Sequence, residues 1–212
     1  MQTKGKWIVI EGIDGAGKTT AMALICSIFD SLSIDYLSLR EPGGTLLGEA
    51  IRNILKQADY QTLPMAEVLL LYAARLQLFE NKIKPSLNSG QWILLDRHEL
   101  STFAYQCGGR GIEMVDVKKI SEICLGSDKP DLTIFLSVAP KRALERITAR
   151  GQLDHIEQQS LEFFENVALT YEMLLDKYPH VIRIDANQDI NDVKYDITEQ
   201  VNLWINQNAN RK

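Results

Sequence analysis

Cysteine is scarce in this sequence, and no long apolar run occurs in it. The 212 residues include only three cysteines, and Cys26, Cys107 and Cys124 form no CxxC pair. An odd number without that spacing argues against a disulfide framework and favours reduced thiols. No apolar stretch approaches the ~20 residues that cross a bilayer, and the first residues do not resemble an export signal. We therefore expect no membrane association and a cytoplasmic location.

Excess positive charge is also missing. The chain carries 23 Lys and Arg against 28 Asp and Glu, which gives a formal net charge of −5 at pH 7. No global positive field attracts nucleic acid or an anionic membrane, so neither is predicted as a partner. Repeats and linkers are absent from the sequence, and 212 residues suffice for one buried core. A single domain over residues 1–212 is predicted.

Short apolar segments alternate with segments of helical periodicity. The predicted strands are residues 7–11, 36–40, 92–96, 132–138 and 181–185. The predicted helices are residues 18–32, 47–57, 64–87, 99–106, 116–125, 140–149, 157–177 and 189–206. This alternation is typical of parallel strands joined by crossover helices, so we predict an α/β fold with a five-stranded parallel sheet flanked by helices. Ligands of such sheets bind beyond the carboxyl ends of the strands.

A phosphate-binding motif follows the first predicted strand. Residues 12–19 match G-x-x-x-x-G-K-[ST], and apolar positions after Lys18 recur at helical spacing. In such a strand–loop–helix unit the backbone N–H groups cradle phosphates, Lys18 reaches the outer phosphates and Thr19 can hold Mg²⁺. The alternative is a glycine-rich turn with a chance lysine, which the flanking strand and helix disfavour. We therefore predict a nucleotide site in a three-layer P-loop fold.

An acid and a base end the third predicted strand. Asp96 and Arg97 follow an apolar run; there Asp96 could order Mg²⁺ and its water, and Arg97 could bind a phosphate through two hydrogen bonds. A salt bridge at the strand end, without a ligand, is the alternative. Next to a phosphate loop, the pair indicates a second phosphate group in the site.

Two further segments could approach the same ligand. Residues 40–45, Arg-Glu-Pro-Gly-Gly-Thr, follow the second strand, and their glycines allow a small ligand to approach the backbone closely. A plain loop is the alternative. Arg52 on the next helix could point into the same cavity or into solvent.

Polar side chains on apolar helices are candidates for reading a ligand. Arg75 is the only cation in an almost wholly apolar helical segment, where it caps a ligand carbonyl or pairs with Glu67 or Glu80. Thr102 and Gln106 lie four residues apart on one helix face, so they read the edge of a base or face water.

Three arginines recur every four residues near the end of another predicted helix. Arg142, Arg146 and Arg150 share one face, and Gly151 then ends the helix. A mobile arginine-bearing lid suits phosphoryl transfer, in which charge on the transferred oxygens is neutralised and water is excluded. A solvated helix face is the alternative.

Taken together, these segments resemble the thymidylate kinase family in its bacterial form. The segments that carry the resemblance are residues 11–20, 40–45, 72–75, 96–98, 101–102, 105–111, 150–157 and 185–188. Only the phosphate loop is specific by itself, but the order and spacing of the others match nearly from end to end. The resemblance implies a homodimeric enzyme that phosphorylates dTMP to dTDP with ATP and Mg²⁺ in dTTP biosynthesis, by in-line transfer without a covalent intermediate.

The resemblance also implies roles for individual residues. The catalytic residues would be Lys18, Arg97, Arg146, Arg150 and Asp14. The ATP site would comprise Gly12, Asp14, Gly15, Ala16, Gly17, Lys18, Thr19, Thr20, Arg142, Ala186 and Gln188. The dTMP site would comprise Asp14, Arg40, Pro42, Arg52, Leu71, Arg75, Arg97, Thr102, Tyr105 and Gln106. Mg²⁺ would be held by Thr19 and Asp96, and the lid would span residues 142–157.

The chain departs from the family at three positions. The family usually stacks a phenylalanine on thymine, but Leu71 stands there with Tyr72 beside it, so which of the two contacts thymine stays open. Bacterial relatives tend to have lid arginines at the positions of Thr148 and His155, which leaves more of the charge to the remaining arginines. His155 either donates a hydrogen bond in the site or is a surface residue.

Two other functions stay open on the residues alone. One is a kinase for another monophosphate or for a deoxynucleoside; Arg97 favours an acceptor that already bears phosphate. The other is a nucleotide-dependent switch, but the Asn-Lys-x-Asp segment that reads guanine in such proteins does not occur in the sequence.

Overall fold

Five parallel strands form the central sheet of the computed structural model, which describes residues 4–57, 62–151 and 153–208. The strands are β1 (Trp7–Glu11), β2 (Tyr36–Arg40), β3 (Trp92–Asp96), β4 (Leu132–Ser137) and β5 (Val181–Asp185). They lie in the order β2-β3-β1-β4-β5, and every neighbouring pair is parallel. The predicted α/β fold is confirmed, and the predicted strand bounds are correct to within one residue.

Helices flank this sheet. In the described part of the chain they are α1 (Lys18–Ser31), α2 (Leu46–Lys56), α3 (Pro64–Leu78), α4 (Lys84–Asn88), α5 (Glu99–Thr102), α6 (Met114–Leu125), α7 (Pro140–Ala149), α8 (Leu161–Leu175) and α9 (Ile190–Asn208). None of these helices is both long enough and apolar enough to cross a membrane.

Two predicted helices are interrupted by π-helical turns. The helix predicted over residues 64–87 divides into α3 and α4 around Phe79–Ile83, and the helix predicted over residues 99–106 is α5 followed by Phe103–Gly109. A π turn adds a residue to the hydrogen-bonded ring and leaves the apolar spacing nearly unchanged, so periodicity does not reveal it. Such turns are frequent at functional sites.

The helix predicted from residue 157 begins instead at Leu161. Ser160 caps this helix, because its Oγ accepts a backbone N–H of the first turn at 3.2 Å. The preceding residues form a separate turn, in which Asp154 accepts the N–H groups of Ile156 and Glu157 at 3.0 Å each. The predicted start was wrong because Ser160 is the N-cap of this helix, so the residues before it belong to the separate turn.

Both faces of the sheet are buried. Along β1, Ile8 and Ile10 pack into one apolar cluster with α1, α8 and α9, whereas Trp7 and Val9 pack into a second cluster with α3 and α4. Successive side chains of a strand point to opposite faces, so a wholly apolar strand requires helices on both sides. The result is the predicted three-layer arrangement.

The carboxyl ends of β1, β2 and β3 meet at one edge of the sheet. Ile10 and Arg40 both align with Asp96 in the parallel register. The phosphate loop, the loop after β2 and Arg97 therefore converge on the same space, where ligands of parallel sheets bind.

Candidate active site

The phosphate loop joins β1 to α1 in the predicted way. Gly12, Gly15 and Gly17 have φ angles of 143°, 78° and 98°, a region that residues with a Cβ atom rarely adopt. A Cβ atom on Gly15 would lie 2.4 Å from the carbonyl oxygen of Ala143, so α7 packs directly on the loop. The glycines thus permit both the turn and its close contact with the neighbouring helix.

Lys18 is folded back over its own loop. Its Nζ donates to the carbonyl oxygens of Gly12 at 3.0 Å and Ile13 at 2.9 Å. Burial, together with the positive charge of Arg97, lowers the pKa of Lys18 to about 8. Phosphate oxygens would offer this buried ammonium a negative partner that two carbonyl groups do not.

Arg97 and Asp14 join the ends of two strands. Arg97 Nη2 pairs with Asp14 Oδ1, and Arg97 Nη1 donates to the Gly12 carbonyl at 3.1 Å. Tyr105 Oη donates to Asp14 Oδ2 at 2.7 Å and accepts from the Asp14 N–H at 2.9 Å. Burial alone would raise the pKa of Asp14, but the charges of Arg97 and Lys18 outweigh it and hold that pKa well below its usual range.

A buried hydrogen-bond network around Glu11 holds Arg97 in place. Glu11 accepts from the His98 N–H at 2.8 Å, from Ser101 Oγ at 2.6 Å and from Tyr171 Oη at 2.9 Å. Ser101 Oγ in turn accepts from Arg97 Nη1 at 3.0 Å. Arg97 has a φ of 68°, and these contacts hold it in that rarely populated conformation. Sequence reasoning missed Tyr171, which comes from α8.

A cavity of about 130 Å³ extends from Arg97 between α2, α3 and α5. The predicted dTMP residues that line it are Asp14, Pro42, Arg52, Leu71, Arg75, Arg97, Thr102, Tyr105 and Gln106. Segments that are distant in sequence, from the phosphate loop to the second π turn, therefore converge on one space. We call this space the acceptor cavity.

Arg75 lies buried in the wall of the acceptor cavity. Its Nε donates to Glu41 Oε2 at 2.6 Å, and its Nη2 donates to Thr102 Oγ1 at 2.9 Å and to the His98 carbonyl at 3.1 Å. Arg75 Nη1 is buried and has no hydrogen-bond partner among residues 4–57, 62–151 and 153–208. Burial opposes the charged form, but the carboxylate of Glu41 raises the pKa of Arg75, so the guanidinium keeps an N–H group to donate.

The alternative pairing of Arg75 with Glu67 or Glu80 was wrong. Glu80 pairs with Lys84 at 2.9 Å, and Glu67 pairs with Arg110 at 2.8 Å. Glu67 and Glu80 are eight and five positions from Arg75, whereas helix neighbours are three or four positions apart. The real partner, Glu41, reaches Arg75 from the end of β2.

Thr102 and Gln106 are both buried, so the interpretation that they face water was wrong. Gln106 Nε2 donates to Glu67 Oε1 at 3.3 Å, whereas its Oε1 is buried without a partner in the described ranges. Burial raises the pKa of Glu67, and the charges of Arg110 and His155 act in the opposite direction. The acceptor cavity thus contains an unused donor on Arg75 and an unused acceptor on Gln106.

Leu71, not Tyr72, lines the acceptor cavity. Tyr72 is turned into the core, where 1% of it is exposed, and its ring lies 4.7 Å from the Arg75 guanidinium carbon. Because neighbouring helical positions point about 100° apart, only one of the two can face a ligand. Of the two, Leu71 is the residue that faces the acceptor cavity.

The structure separates the two arginines that were predicted beside Arg97. Arg52 lines the acceptor cavity, and its Nη1 donates to the Pro42 carbonyl at 3.0 Å. Arg40 is half exposed and pairs with Glu49 at 2.8 Å, outside the residues that line the cavity. Glu49 on α2 holds the Arg40 side chain at the surface, and the role of Arg40 as a dTMP contact stays a prediction.

A second cavity, of about 260 Å³, lies on the other side of the phosphate loop. The predicted ATP residues that line it are Gly15, Ala16, Gly17, Thr20, Ala186 and Gln188, together with Arg146. Arg146 donates to the carbonyl oxygens of Gly15 at 3.3 Å and Ala186 at 3.0 Å. Arg142 donates to the Asn187 carbonyl, so two of the three spaced arginines contact the loop after β5.

The third arginine, Arg150, points elsewhere. It pairs with Glu157, and 61% of its side chain is exposed. Asp154 of the same turn lies 3.9 Å from Lys56 on α2 and lines the acceptor cavity. The predicted lid over residues 142–157 therefore consists of α7 and a turn that lies over the acceptor cavity, with Gln152 outside the described residues.

The two residues predicted to hold Mg²⁺ are an exposed hydroxyl and a carboxylate. Thr19 lies at the start of α1, and Asp96 Oδ1 is buried without a hydrogen-bond partner in the part of the chain that the structure describes. Within those residues no group of three or more His, Cys, Asp or Glu side chains could hold a metal ion. Two oxygen ligands fit Mg²⁺ that arrives with phosphates and keeps several waters.

The strand–loop–helix phosphate site and a neighbouring cavity whose wall contains unpaired hydrogen-bonding groups define a P-loop phosphotransferase for nucleotides. The sequence model of the family described as "Thymidylate kinase" matches residues 10–197. A thymidylate kinase of Pseudoalteromonas translucida (strain TAC 125) is 48% identical over 203 residues, 95% of this chain and 98% of that protein. One of Legionella pneumophila (strain Corby) is 45% identical over 206 residues, 96% of this chain and 97% of that protein. The chain belongs to the thymidylate kinase family.

Proposed function

We propose that the protein transfers the terminal phosphoryl group of ATP to dTMP and thereby forms dTDP for nucleotide biosynthesis. The observation that carries this proposal is the position of the pair formed by Arg97 and Asp14. The pair joins the phosphate loop to the acceptor cavity, whose wall also contains the unpaired groups of Arg75 and Gln106. One phosphate loop therefore serves both substrates.

The donor side is supported by the phosphate loop and the second cavity. Lys18 exchanges its carbonyl partners for the outer phosphates of ATP, and Arg146 adds positive charge at the same loop. Ala186 and Gln188 line the same cavity as the glycines of the loop, so they are placed to contact the nucleoside of ATP. Mg²⁺ held by Thr19 and Asp96 would neutralise charge on the phosphates.

The acceptor side is supported by groups that match a deoxynucleoside monophosphate. Arg97 binds its phosphate through two hydrogen bonds, and Asp14 contacts the sugar. Arg75 and Gln106 meet the base with one donor and one acceptor. Tyr105, fixed by Asp14, crowds the sugar and favours deoxyribose.

Transfer by such a site requires positioning and charge stabilisation rather than a covalent intermediate. The reacting oxygens are held in line by Lys18 on one side and Arg97 on the other. The turn with Arg150 and Asp154 closes over the cavity as a lid and excludes water. In this proposal Arg150 leaves Glu157 to reach the transferred group.

A homodimer is part of the proposal. Leu69 and Leu76 on α3 and Val115 and Ile123 on α6 are exposed, and these two helices pack side by side. Large apolar side chains on adjacent helices are typical of a surface that a partner covers. A second copy of this chain is the partner we propose; the single domain and the cytoplasmic location stay predictions.

A coupled ADP-release assay with ATP and each nucleoside monophosphate tests the function. We expect rapid turnover with dTMP and dUMP and little with the purine monophosphates, because the acceptor cavity has room and hydrogen-bonding groups for one pyrimidine. ATP hydrolysis that does not depend on the acceptor would contradict the proposal.

A further inference from the structure

The orientation of the Gln106 amide determines whether it can donate a hydrogen bond to a ligand or accept one from it. A side-chain amide has an NH₂ group that donates and a carbonyl oxygen that accepts, and rotation by half a turn exchanges them. In this protein Nε2 contacts Glu67 Oε1 at 3.3 Å, and Oε1 is the buried atom left without a partner in the described residues. The amide atom that is left for a ligand to pair with is therefore a hydrogen-bond acceptor.

Glu67 is what fixes this orientation. An ionised carboxylate only accepts hydrogen bonds, so it can face the NH₂ group of Gln106 but not the carbonyl oxygen. Glu67 is 5% exposed, and Arg110 pairs with its Oε2 at 2.8 Å from the end of the second π turn. Burial raises the pKa of Glu67, and this ion pair opposes the rise because it stabilises the charged form. Turning the amide around would place two oxygen acceptors against each other.

The second unpaired group in the cavity wall, on Arg75, has the complementary hydrogen-bonding character. Arg75 Nη1 is a buried donor without a partner in the described ranges, and Thr102 Oγ1 accepts from Arg75 Nη2 at 2.9 Å, which leaves the Thr102 hydroxyl proton free to donate. Thymine presents an acceptor at O4 and a donor at N3. Cytosine presents a donor at N4 and an acceptor at N3, which is the reverse pattern.

We propose that Glu67 is a positioning residue that selects thymine over cytosine by holding the Gln106 amide with its oxygen toward the base. The inference rests on the proposed function and adds a residue that does not itself touch the base. A base that leaves buried polar groups of the cavity unpaired binds weakly. The orientation of the Gln106 amide therefore determines which base can pair with the cavity. Glu67 and its partner Arg110 act through Gln106.

The Glu67→Gln variant tests the inference, because a neutral amide at this position accepts either orientation of Gln106. We measure kcat/KM for dTMP and for dCMP in the wild type and in the variant. The ratio of the two values is expected to fall at least about tenfold, through a higher KM for dTMP and a gain of turnover with dCMP. The kcat for dTMP is expected to change less than about threefold, since the phosphate groups are untouched.

The Glu99→Gln variant is the matched control. Glu99 is also a buried glutamate with a cationic partner, Lys129 at 2.6 Å, but it lies away from the acceptor cavity. Its replacement is expected to leave the ratio of dTMP to dCMP unchanged. A double-mutant cycle then asks whether Glu67 acts through Gln106: in a Gln106→Leu background, Glu67→Gln is expected to add no further change.

The possible results separate this inference from the function on which it rests. A wild-type enzyme without a preference for dTMP over dCMP contradicts the proposed function and the inference together. A wild type that prefers dTMP, with a Glu67→Gln variant that keeps the full preference, overturns the inference alone, as does an equal effect in the Gln106→Leu background. Should Glu67→Gln fail to fold, Arg110→Gln replaces it, and an unchanged ratio there also overturns the inference.

Discussion

The guanidinium of Arg97 pairs with the carboxylate of Asp14, so the residue after β3 is tied to the phosphate loop after β1. The same guanidinium donates to the Gly12 carbonyl and to Ser101 Oγ. In the proposed function these contacts hold the cation at the acceptor cavity, and a phosphate that binds it through two hydrogen bonds has to replace some of them.

Loss of Arg97 should affect the acceptor far more than the donor. For Arg97→Ala we expect kcat/KM for dTMP to fall at least about 100-fold, because a bidentate charged contact is lost in the transition state. The Kd for ATP, measured by calorimetry, should change less than about threefold. Arg183→Ala is the control, since Arg183 pairs with Glu172 and Asp176 at the surface. An equal loss of ATP binding would show that the phosphate sites are assigned wrongly.

Nucleotide binding should depend on pH through Lys18. In the free enzyme its pKa is lowered to about 8, whereas a bound triphosphate favours the charged ammonium and raises that pKa again. ATP should therefore bind with proton uptake at about pH 9 and with little uptake at about pH 6, and its affinity should fall as the pH rises above about 8. Calorimetry in buffers of different ionisation enthalpy measures the uptake.

The Lys18→Met variant serves as the control for this titration. This variant should bind ATP weakly, and its ATP binding at about pH 9 should lack the proton uptake that we assign to Lys18. Uptake at alkaline pH that persists in the variant would contradict the assignment.

The hydroxyl and the ring of Tyr105 should have separable effects. Tyr105→Phe removes the hydrogen bonds to both Asp14 Oδ2 and the Asp14 N–H. We expect kcat for dTMP to fall about tenfold, because Asp14 loses two of its fixed contacts. The preference for deoxyribose over ribose should remain, because the ring is still present. The preference is measured as the ratio of kcat/KM for dTMP to that for the ribonucleotide; a ratio that collapses in Tyr105→Phe would show that the hydroxyl, not the ring, excludes the ribose.

The exposed apolar face of α3 and α6 should govern assembly. Leu69→Glu and Ile123→Glu place charges on side chains that are 53% and 84% exposed in the single chain. We expect light scattering to report a dimer for the wild type and a monomer for either variant. Tyr195→Glu on α9, where Tyr195 is 66% exposed, should remain dimeric. Variants that are still dimers would place the interface elsewhere.

Sequence reasoning located the elements of the site better than the contacts between them. The phosphate loop, the strand ends at Asp96 and the Thr102 position follow from spacing and periodicity, which are local properties of the chain. The partner of Arg75 does not, because Glu41 lies 34 positions away and reaches it only through the fold. Tyr171 beneath Arg97 was missed for the same reason.

Surface charges were the hardest to place. Arg40 and Arg52 look alike in the sequence, yet Glu49 draws Arg40 to the surface while Arg52 lines the acceptor cavity. Arg146 and Arg150 are one turn apart, but the first contacts the phosphate loop and the second pairs with Glu157. A long flexible side chain takes its position from its partners, and partners cannot be read from spacing alone.

A crystal structure with dTMP and a non-hydrolysable ATP analogue tests the central claim most directly, because that claim is the division of one site between two substrates. We expect the phosphate of dTMP to contact Arg97 and the triphosphate to lie on the loop around Lys18. The thymine O4 atom should lie within hydrogen-bonding distance of Arg75 Nη1, and the thymine N3 atom should face Gln106 Oε1. A dTMP phosphate bound in the phosphate loop, or a thymine outside the acceptor cavity, would contradict the account.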